Sequence, residues 1–220
     1  MILNPDAAEP VAPTTKLRRK PDRTIESTSS RYSFLDQSPI GFLGIVQNGY
    51  PTVLPMAFVR FADEIHLHGS IANNNLQFGI EQPVCFTTAI IDGLVLAKAA
   101  ANHSFNYRST VVFGKLEEIS DEEQKSQSMT GLIERYYPGR SQLLRKLSSK
   151  ELKSIKVARL SLDQMSAKQR SGPPISDLKE PYPNAWVGTI DLNHFLGTTT
   201  SESDTEWPIP RVSDLLFGGS

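Results

Sequence analysis

Short apolar stretches separated by turn residues fill the middle of the chain. Alternating or continuous apolar positions predict strands at residues 41–47, 52–59, 65–69, 84–91, 94–100, 106–118, 156–162 and 186–192. Asn48-Gly49 is typical of a type I′ hairpin, and Asp92-Gly93 predicts a second tight hairpin. Pro55 lacks a backbone donor, so we expect an edge, a bulge or a bend there. Closely spaced strands of this kind predict a mainly β fold, an antiparallel Greek-key barrel with peripheral helices.

The apolar period changes to a helical one after residue 120. Met129, Leu132, Ile133 and Tyr136 recur at helical spacing, which predicts an amphipathic helix over residues 121–137. Ser120 and Glu123 have the spacing of a capping box, and Gly139 is a suitable stop. Shorter helices are predicted at residues 142–147 and 163–170.

Polar, proline-rich ends flank this pattern and suggest the division into segments. Residues 1–30 are expected to form a flexible arm, although their basic run at 16–20 also suits contact with a partner subunit or a ligand phosphate. Residues 198–220 are expected to form a flexible tail pinned by Trp207. One barrel domain should span residues 31–197, with a helical insertion near residues 121–155.

Composition narrows the classes of protein. The chain has 220 residues and a formal net charge of −1, and its aromatic residues are not interleaved with basic ones. We therefore expect neither nucleic-acid nor membrane binding. Cys85 is the single cysteine, which excludes an intrachain disulfide, favours a cytoplasmic location and suggests a buried, inert thiol.

Two histidines alternate with apolar residues in one predicted strand. His66 and His68 therefore share a face, and Gly69 and Ser70 follow at the strand end. A metal site would combine both histidines with His103, but no carboxylate or cysteine spacing completes a known pattern, so we predict no metal. We interpret His66 as a surface residue of a half-exposed strand and His68, beside Gly69, as a ligand-binding residue.

Two further polar clusters are candidates for ligand binding. Residues 103–109 place Asn, Tyr, Arg and Ser at the start of a long apolar strand, where Arg108 is suited to grip a phosphate with both guanidinium nitrogens. The alternative is a strand mouth with solvent-facing polar residues. In residues 166–174, Lys168 and Arg170 suit either the negative end of a short helix or a basic loop over an anionic ligand.

Four motifs in order and register resemble a known family. The chain is similar to the flavin-nucleotide-binding branch of the pyridoxamine 5′-phosphate oxidase-like proteins, which also resembles the nitroimidazole-resistance reductases. The resemblance covers residues 33–196. Its motifs are Leu67-His68-Gly69-Ser70, residues 92–98, residues 103–114, and Ser166-Ala167-Lys168 with Arg170 and Gly172-Pro173-Pro174.

The resemblance implies a split β-barrel that forms a homodimer with FMN in each cleft between subunits. The strand with Val53 to Met56 would lie along the flavin ring, and the strand end at His68 would run toward the phosphate. The implied cofactor-binding residues are Val53, Leu54, Pro55, Met56, Leu67, His68, Gly69, Ser70, Asn74, Asn75, Asn106, Tyr107, Arg108, Ser109 and Lys168. The catalytic residues are unassigned.

One departure from the family affects the phosphate. Many relatives carry a Ser-Arg or similar basic pair where this chain has Asn73-Asn74-Asn75, so a charge-assisted contact is lost. Weaker FMN binding is expected unless Arg108, Lys98, Lys168 or an N-terminal arginine compensates. Residues 198–220 lack the basic segment that would hold the phosphate of a vitamin B6 substrate, which argues against that reaction.

The resemblance leaves several functions open. The first is an FMN-dependent oxidoreductase that acts on a small organic molecule with a nicotinamide donor or oxygen. The second is a non-catalytic flavin carrier or redox sensor. The third is a haem-binding or haem-degrading split barrel, in which His66, His68, His103 or His194 would supply an axial ligand. The fourth is a ligand-free structural dimer.

Overall fold

Two antiparallel sheets enclose the core of the protein. The structure is a computed structural model that describes residues 13–16, 20–72, 75–80, 82–174 and 186–192. Among these residues, the first sheet has the order β2 (Tyr50–Met56), β1 (Gly41–Gln47), β5 (Pro83–Leu96), β6 (Ser104–Lys115), β9 (Met165–Arg170), and β10 (Gly188–Asp191) also pairs with β5. The second has the order β3 (Phe58–Phe61), β4 (Glu64–Ser70), β8 (Ile155–Ser161), β7 (Glu117–Ile119).

Four helices of the described residues lie around the sheets. They are α1 (Thr28–Gln37), α2 (Asn75–Gly79), α3 (Glu122–Tyr136) and α4 (Ser149–Ser154), and short 3₁₀ turns occur at Pro21–Arg23, Ala100–Asn102 and Arg140–Leu143. None of the helices in this part of the chain has the length and apolar character needed to cross a membrane. The predicted mainly β fold with peripheral helices is confirmed.

The inward faces of the two sheets meet in one hydrophobic core. Phe58 of β3 and Phe86 of β5 are fully buried, and their rings meet edge to face with centroids 5.1 Å apart. Leu43 and Ile45 of β1 pack on the same cluster. Strand alternation therefore directs one face of the first sheet into the core and leaves the other face outside.

The first hairpin follows the prediction. Asn48 and Gly49 both have positive φ angles, 52° and 84°, as a type I′ turn requires. The proline-containing second strand is also interrupted as expected. Strand β2 lies at the edge of its sheet and ends at Met56, and β3 begins at Phe58 in the other sheet. The bend near Pro55 thus carries the chain from one sheet to the other.

The predicted hairpin at Asp92-Gly93 is wrong. Residues 83–96 form the single strand β5, and the register against β6 shifts between Ile91 and Gly93. A β-bulge absorbs the extra residue because β6 pairs with β5 on both sides of it. A Cβ atom on Gly93 would lie 2.9 Å from the Ile190 carbonyl oxygen, so the glycine permits β10 to approach.

The predicted helix at residues 163–170 is also wrong, because residues 165–170 form strand β9. Met165 and Ala167 alternate into the core, and β9 pairs with β6 from Val112 to Tyr107. Residues with good helix propensity adopt a strand here because sheet pairing and burial outweigh a preference of a few tenths of a kcal/mol per residue.

From residue 21 onward, the N-terminal segment forms regular structure where a flexible arm was predicted. The backbone N–H of Ile25 donates to the Ala167 carbonyl oxygen at 3.0 Å, and Thr24 bridges Lys168. Helix α1 begins at Thr28, with Ser27 as its N-cap. Its polar sequence lacks an apolar stripe, which is why periodicity did not predict it. The predicted tail at residues 198–220, with Trp207, lies outside the described residues.

The helical insertion agrees with the prediction in its main helix and differs in detail. Helix α3 matches the predicted helix, but Asp121 caps it by accepting from the Gln124 N–H at 2.9 Å, so the predicted Ser120 capping box is wrong. The predicted helix at residues 142–147 is a 3₁₀ turn at Arg140–Leu143 instead. Helix α4 follows with its own capping box between Ser148 and Glu151.

Candidate functional site

A cavity of about 270 Å³ lies where β2 passes from one sheet to the other. Its wall comes from the end of β2, the end of β4 and the start of α2, and its lining residues are Leu54, Pro55, Met56, Ala57, His68, Gly69, Asn75 and Leu76. Six of these are among the predicted cofactor-binding residues. Apolar side chains and the polar groups of His68 and Asn75 share this wall about evenly. Placed polar groups beside apolar side chains are usual in a cofactor pocket.

His68 is the polar side chain in this cavity with an unsatisfied atom. Its Nδ1 is buried and has no hydrogen-bond partner among the described residues. Burial lowers the pKa of His68, because the charged imidazolium loses hydration. His68 also lies beside α3, where it borders Ser128 and Met129. Buried polar atoms in folded proteins nearly always have partners, so His68 is one of the exceptions among the described residues.

His66, on the same face of β4, has a different environment. Its ring nitrogens lie 2.7 Å from the Ser128 hydroxyl of α3 and 2.7 Å from the Glu64 carboxylate. Its side chain is 11% exposed and packs on the Phe61 ring. The interpretation of His66 as a surface residue is therefore wrong. It connects the sheet to α3, because β4 presents both histidines to the helix that covers it.

Other predicted residues of this half are spread over different environments. Leu67 is 1% exposed in the core, and Val53 is 64% exposed on the outer face of the sheet. Ser70 is exposed, and its hydroxyl accepts from the Ala72 N–H at 3.2 Å. Asn75 begins α2, whereas Asn73 and Asn74 lie outside the described residues.

A second cavity, of about 550 Å³, lies at the other end of the first sheet. It is bounded by α1, the bulge of β5, and the ends of β6, β9 and β10. Asn106 and Arg108 line it, with Asp92, Arg170, Thr189 and Asp191. Tyr107 and Ser109 alternate to the opposite face of β6, and Lys168 pairs with Ser109 in the register of β9.

Arg108 is already neutralised by protein groups. Its Nε and one terminal nitrogen donate to the two Asp92 carboxylate oxygens at 3.0 and 2.6 Å, and the other terminal nitrogen donates to Gln37 of α1. Its guanidinium also lies 5.6 Å from the Phe34 ring centroid. The fork that we expected to grip a phosphate is engaged by Asp92, so Arg108 fixes α1 and the β5 bulge in place.

Sequence reasoning missed several residues of the second cavity. Asp92 was interpreted as a hairpin residue, and Phe34, Gln37, Thr189 and Asp191 were not singled out. Asp92 follows a long apolar strand, and a β-bulge interpretation of Asp92-Gly93 would have turned its carboxylate toward Arg108. Local sequence patterns do not indicate that α1 and β10 line this cavity, because both lie far in the chain from β5 and β6.

The two cavities are separate within one chain. Strands β2 and β6 are three strand spacings apart in the sheet, which is about 14 Å at roughly 4.8 Å per spacing. A single subunit therefore does not bring Leu54 and Met56 next to Asn106 and Arg108. Among the described residues, no group of three or more His, Cys, Asp and Glu side chains has an arrangement suited to a metal ion.

The two antiparallel sheets form a split barrel, and this fold gives the class of protein. The model of the pyridoxamine 5′-phosphate oxidase family matches residues 27–169, so the chain belongs to this family. This confirms the resemblance and the split-barrel fold. A search of curated proteins finds no match to the chain.

Three solved structures resemble the chain. The flavocytochrome Anf3 from Azotobacter vinelandii is 29% identical, with a TM-score of 0.85 over 93% of this chain and 97% of that one. An FAD- and haem-binding protein from Mycobacterium smegmatis is 28% identical, with a TM-score of 0.78 over 86% and 95%. A putative 5-nitroimidazole antibiotic resistance protein from Bacteroides thetaiotaomicron is 27% identical, with a TM-score of 0.56 over 66% and 85%.

Proposed function

We propose that the protein is a flavin-dependent redox protein and that the flavin ring binds in the cavity between β2, β4 and α2. The observation that carries this proposal is the cavity wall itself, in which Leu54 and Met56 offer apolar surface and His68 and Asn75 offer polar groups. A bound flavin would supply hydride or electron transfer, and the protein would supply seating, orientation and exclusion of water.

FMN is the form of the cofactor that the sequence predicts, and FAD is the alternative. Family membership supports a flavin in general, and the Mycobacterium smegmatis relative is described as binding FAD. A small organic molecule, with a nicotinamide donor or oxygen, remains the proposed substrate class. A flavin carrier or redox sensor without turnover is separated from an enzyme by whether added NADPH is consumed.

We further propose that the flavin site is completed by a second copy of the chain. The cavity at β2 is slightly smaller than the roughly 300–1,000 Å³ of pockets that enclose drug-sized ligands. A single chain also keeps the two predicted halves of the site about 14 Å apart. A partner subunit that contributes its own second half would solve both problems.

The outer face of the first sheet is suited to bind this second copy. Strands β1, β2 and β5 contribute no charged side chain to it between residues 41 and 91. The strand register relates its residues, which include Phe42, Val46, Pro51, Val53, Pro55, Cys85, Thr87, Ala89, Ile91, Tyr107, Val111 and Phe113. Ser109 and Lys168 continue the same face toward β9. A wide apolar sheet face of this kind is uncommon on a monomer and typical of a subunit interface.

The flavin proposal is tested by partly filling the cavity. Ala57→Leu adds three carbon atoms at the lining of the flavin seat, whereas Ala101→Leu adds them on the exposed 3₁₀ turn Ala100–Asn102. We expect Ala57→Leu to weaken flavin binding about tenfold or more, measured by quenching of flavin fluorescence, and Ala101→Leu to leave it unchanged. Equal flavin affinity in both variants would contradict the proposed seat.

Haem binding is a second candidate, favoured by His68. Two of the similar structures have descriptions that point to haem: one is a flavocytochrome, and the other is an FAD- and haem-binding protein. Among the described histidines, His66 is engaged at both ring nitrogens and His103 Nδ1 contacts the Ala99 carbonyl oxygen, whereas His68 retains a free Nδ1. His194 lies outside the described residues.

The haem candidate has its own spectroscopic test. If His68 is an axial ligand, haem added to the purified protein gives a Soret band that His68→Ala shifts or abolishes. His103→Ala serves as the control. A Soret band that is identical in wild type and His68→Ala would remove His68 from this role.

A further inference from the structure

Arg170 is a buried cation, and the groups that it contacts among the described residues carry no charge. It is 7% exposed at the end of β9, and its guanidinium donates to the Asn106 side-chain oxygen and to the Gly172 and Pro173 carbonyl oxygens, the last two at 3.2 and 3.1 Å. All three acceptors are neutral. Among the described residues, no carboxylate lies within ion-pair distance of Arg170.

The surroundings of Arg170 increase its need for an anion. Burial, and then the positive charge of Arg23, lower the pKa of Arg170. Arg23 closes the 3₁₀ turn that packs beside β9. Two like charges near each other in a partly dehydrated place are unfavourable unless a negative group joins them.

Arg108, in the same cavity, differs from Arg170 because it has a carboxylate partner. The Asp92 carboxylate binds it through both oxygens and cancels its charge. The two arginines line one cavity of about 550 Å³, yet they differ in charge balance. Of the two arginines, Arg170 is therefore the one that no described carboxylate neutralises. The sequence had left open whether Arg170 ends a short helix or belongs to a loop that covers an anionic ligand.

The remaining lining groups indicate what accompanies the anion. Asp191 and Thr189 enter the cavity from β10, and a carboxylate with a neighbouring hydroxyl is suited to hydrogen-bond the hydroxyl groups of a sugar. Phe34 of α1 offers an aromatic wall. A ligand that combines an anionic group with sugar hydroxyls would match these protein groups, and a nucleotide has both.

We propose that the cavity between α1, β6, β9 and β10 binds the phosphate–ribose part of a nucleotide, with Arg170 as the phosphate ligand and Asp191 toward the ribose. Two sources share this chemistry, namely the phosphate end of the flavin and the phosphate end of a nicotinamide donor. The assignment rests on the proposed redox function for the identity of the nucleotide, but the anion site itself does not depend on it.

Ligand titrations of the full-length protein distinguish the two sources. Riboflavin, FMN, FAD and NADPH are titrated into wild type, Arg170→Gln, Asp191→Asn and Arg145→Gln. Arg145 is an exposed arginine paired with Glu151, and it serves as the matched control. If the cavity holds the flavin phosphate, Arg170→Gln weakens FMN and FAD at least tenfold but leaves riboflavin unchanged. If it holds the donor, Arg170→Gln weakens NADPH and leaves all three flavins unchanged.

Inorganic pyrophosphate tests the anion site independently of the flavin. A ligand that binds the folded state raises the melting temperature, so pyrophosphate should raise that of wild type and Arg145→Gln but not that of Arg170→Gln. This result would support the site even if wild type bound no flavin, which would refute only the proposed function.

Two further outcomes complete the test. Asp191→Asn has the same shape as the wild type and keeps Arg170, so it tests the site even if Arg170→Gln fails to fold. We expect it to weaken binding of the same nucleotide two- to tenfold and to leave pyrophosphate binding intact. The inference is overturned if folded Arg170→Gln, judged by circular dichroism, binds every phosphate ligand as tightly as Arg145→Gln does.

Discussion

At the residue scale, two side chains that line the candidate cavities have a missing or unusual partner. His68 has a buried nitrogen without a described partner, and Arg170 has a buried charge without a described carboxylate. By contrast, His66 and Arg108, which are their neighbours in sequence or in space, are fully engaged by protein groups. The distinction depends on contacts between distant segments, which the sequence alone did not reveal.

His68 also gives a pH dependence at this scale. Burial lowers its pKa below the ordinary value of 6.5, so the unfolded chain binds the proton more readily than the folded protein. Above pH 6.5, His68 is neutral in both states and costs the folded protein no stability. As the pH falls below 6.5 toward the lower pKa of the folded protein, the unfolded chain takes up the proton first, and stability is lost.

We therefore expect His68→Gln to reduce the loss of stability on acidification. The measurement is the free energy of unfolding by urea at several values between about pH 7 and pH 5, where histidine titrates. His103→Gln is the control on an exposed loop residue. If the His68→Gln protein keeps the full pH slope of wild type, the proposed effect of burial is wrong.

At the element scale, most strands and the main helix were predictable, and the errors occurred where tertiary contacts decide. Strands β1 and β8 follow simple apolar patterns, and α3 follows its helical period. Strand β9 was predicted as a helix because its pairing with β6 cannot be inferred from local propensity. Helix α1 was missed because its polar sequence is stabilised by contacts such as Arg31 Nη1 to the Met165 carbonyl oxygen.

Only part of the candidate site was predictable, because tertiary contacts decide the rest. The cavity at β2 and β4 gathers six residues that family motifs had indicated. The second cavity depends on α1, on the β5 bulge and on β10, three elements whose placement requires the folded sheet. Local patterns therefore predicted the strand that carries Arg108 but not the partners that neutralise it.

The N-cap of α3 provides an element-scale prediction. Asp121 accepts from the Gln124 N–H, so Asp121→Ala should lower the free energy of unfolding by about 1 kcal/mol, within the ~0.5–2 kcal/mol typical of caps. Ser120→Ala should have almost no effect. Urea denaturation measures both, and a larger loss for Ser120→Ala would restore the capping box that the sequence had suggested.

At the scale of the whole molecule, the proposal is a dimer whose two chains share each flavin site. The outer sheet face is broad and uncharged on three of its strands, and the two cavities of one chain stand too far apart to hold one ligand ring together. A second chain against this face accounts for both observations. The exposed Val53 of the predicted flavin strand then acquires a partner surface.

A charge placed on this face should separate the subunits. Val53 and Leu143 are equally exposed, at 64%, but Val53 lies on the outer sheet face and Leu143 lies in the helical insertion. We expect Val53→Lys to shift sedimentation from dimer to monomer, because burial of an unpaired charge is costly, and Leu143→Lys to remain dimeric. A monomeric wild type, or a fully dimeric Val53→Lys protein, would contradict the proposed interface.

Retention of a flavin by the purified protein is best examined by its absorption spectrum. It is recorded before and after addition of FMN or FAD and removal of the excess. We expect flavin bands that remain with the protein and that are reduced in Ala57→Leu, whose added side chain lies at the lining of the β2–β4–α2 cavity. A wild-type protein that retains neither flavin would contradict the flavin function, and a Soret band in its place would favour the haem candidate.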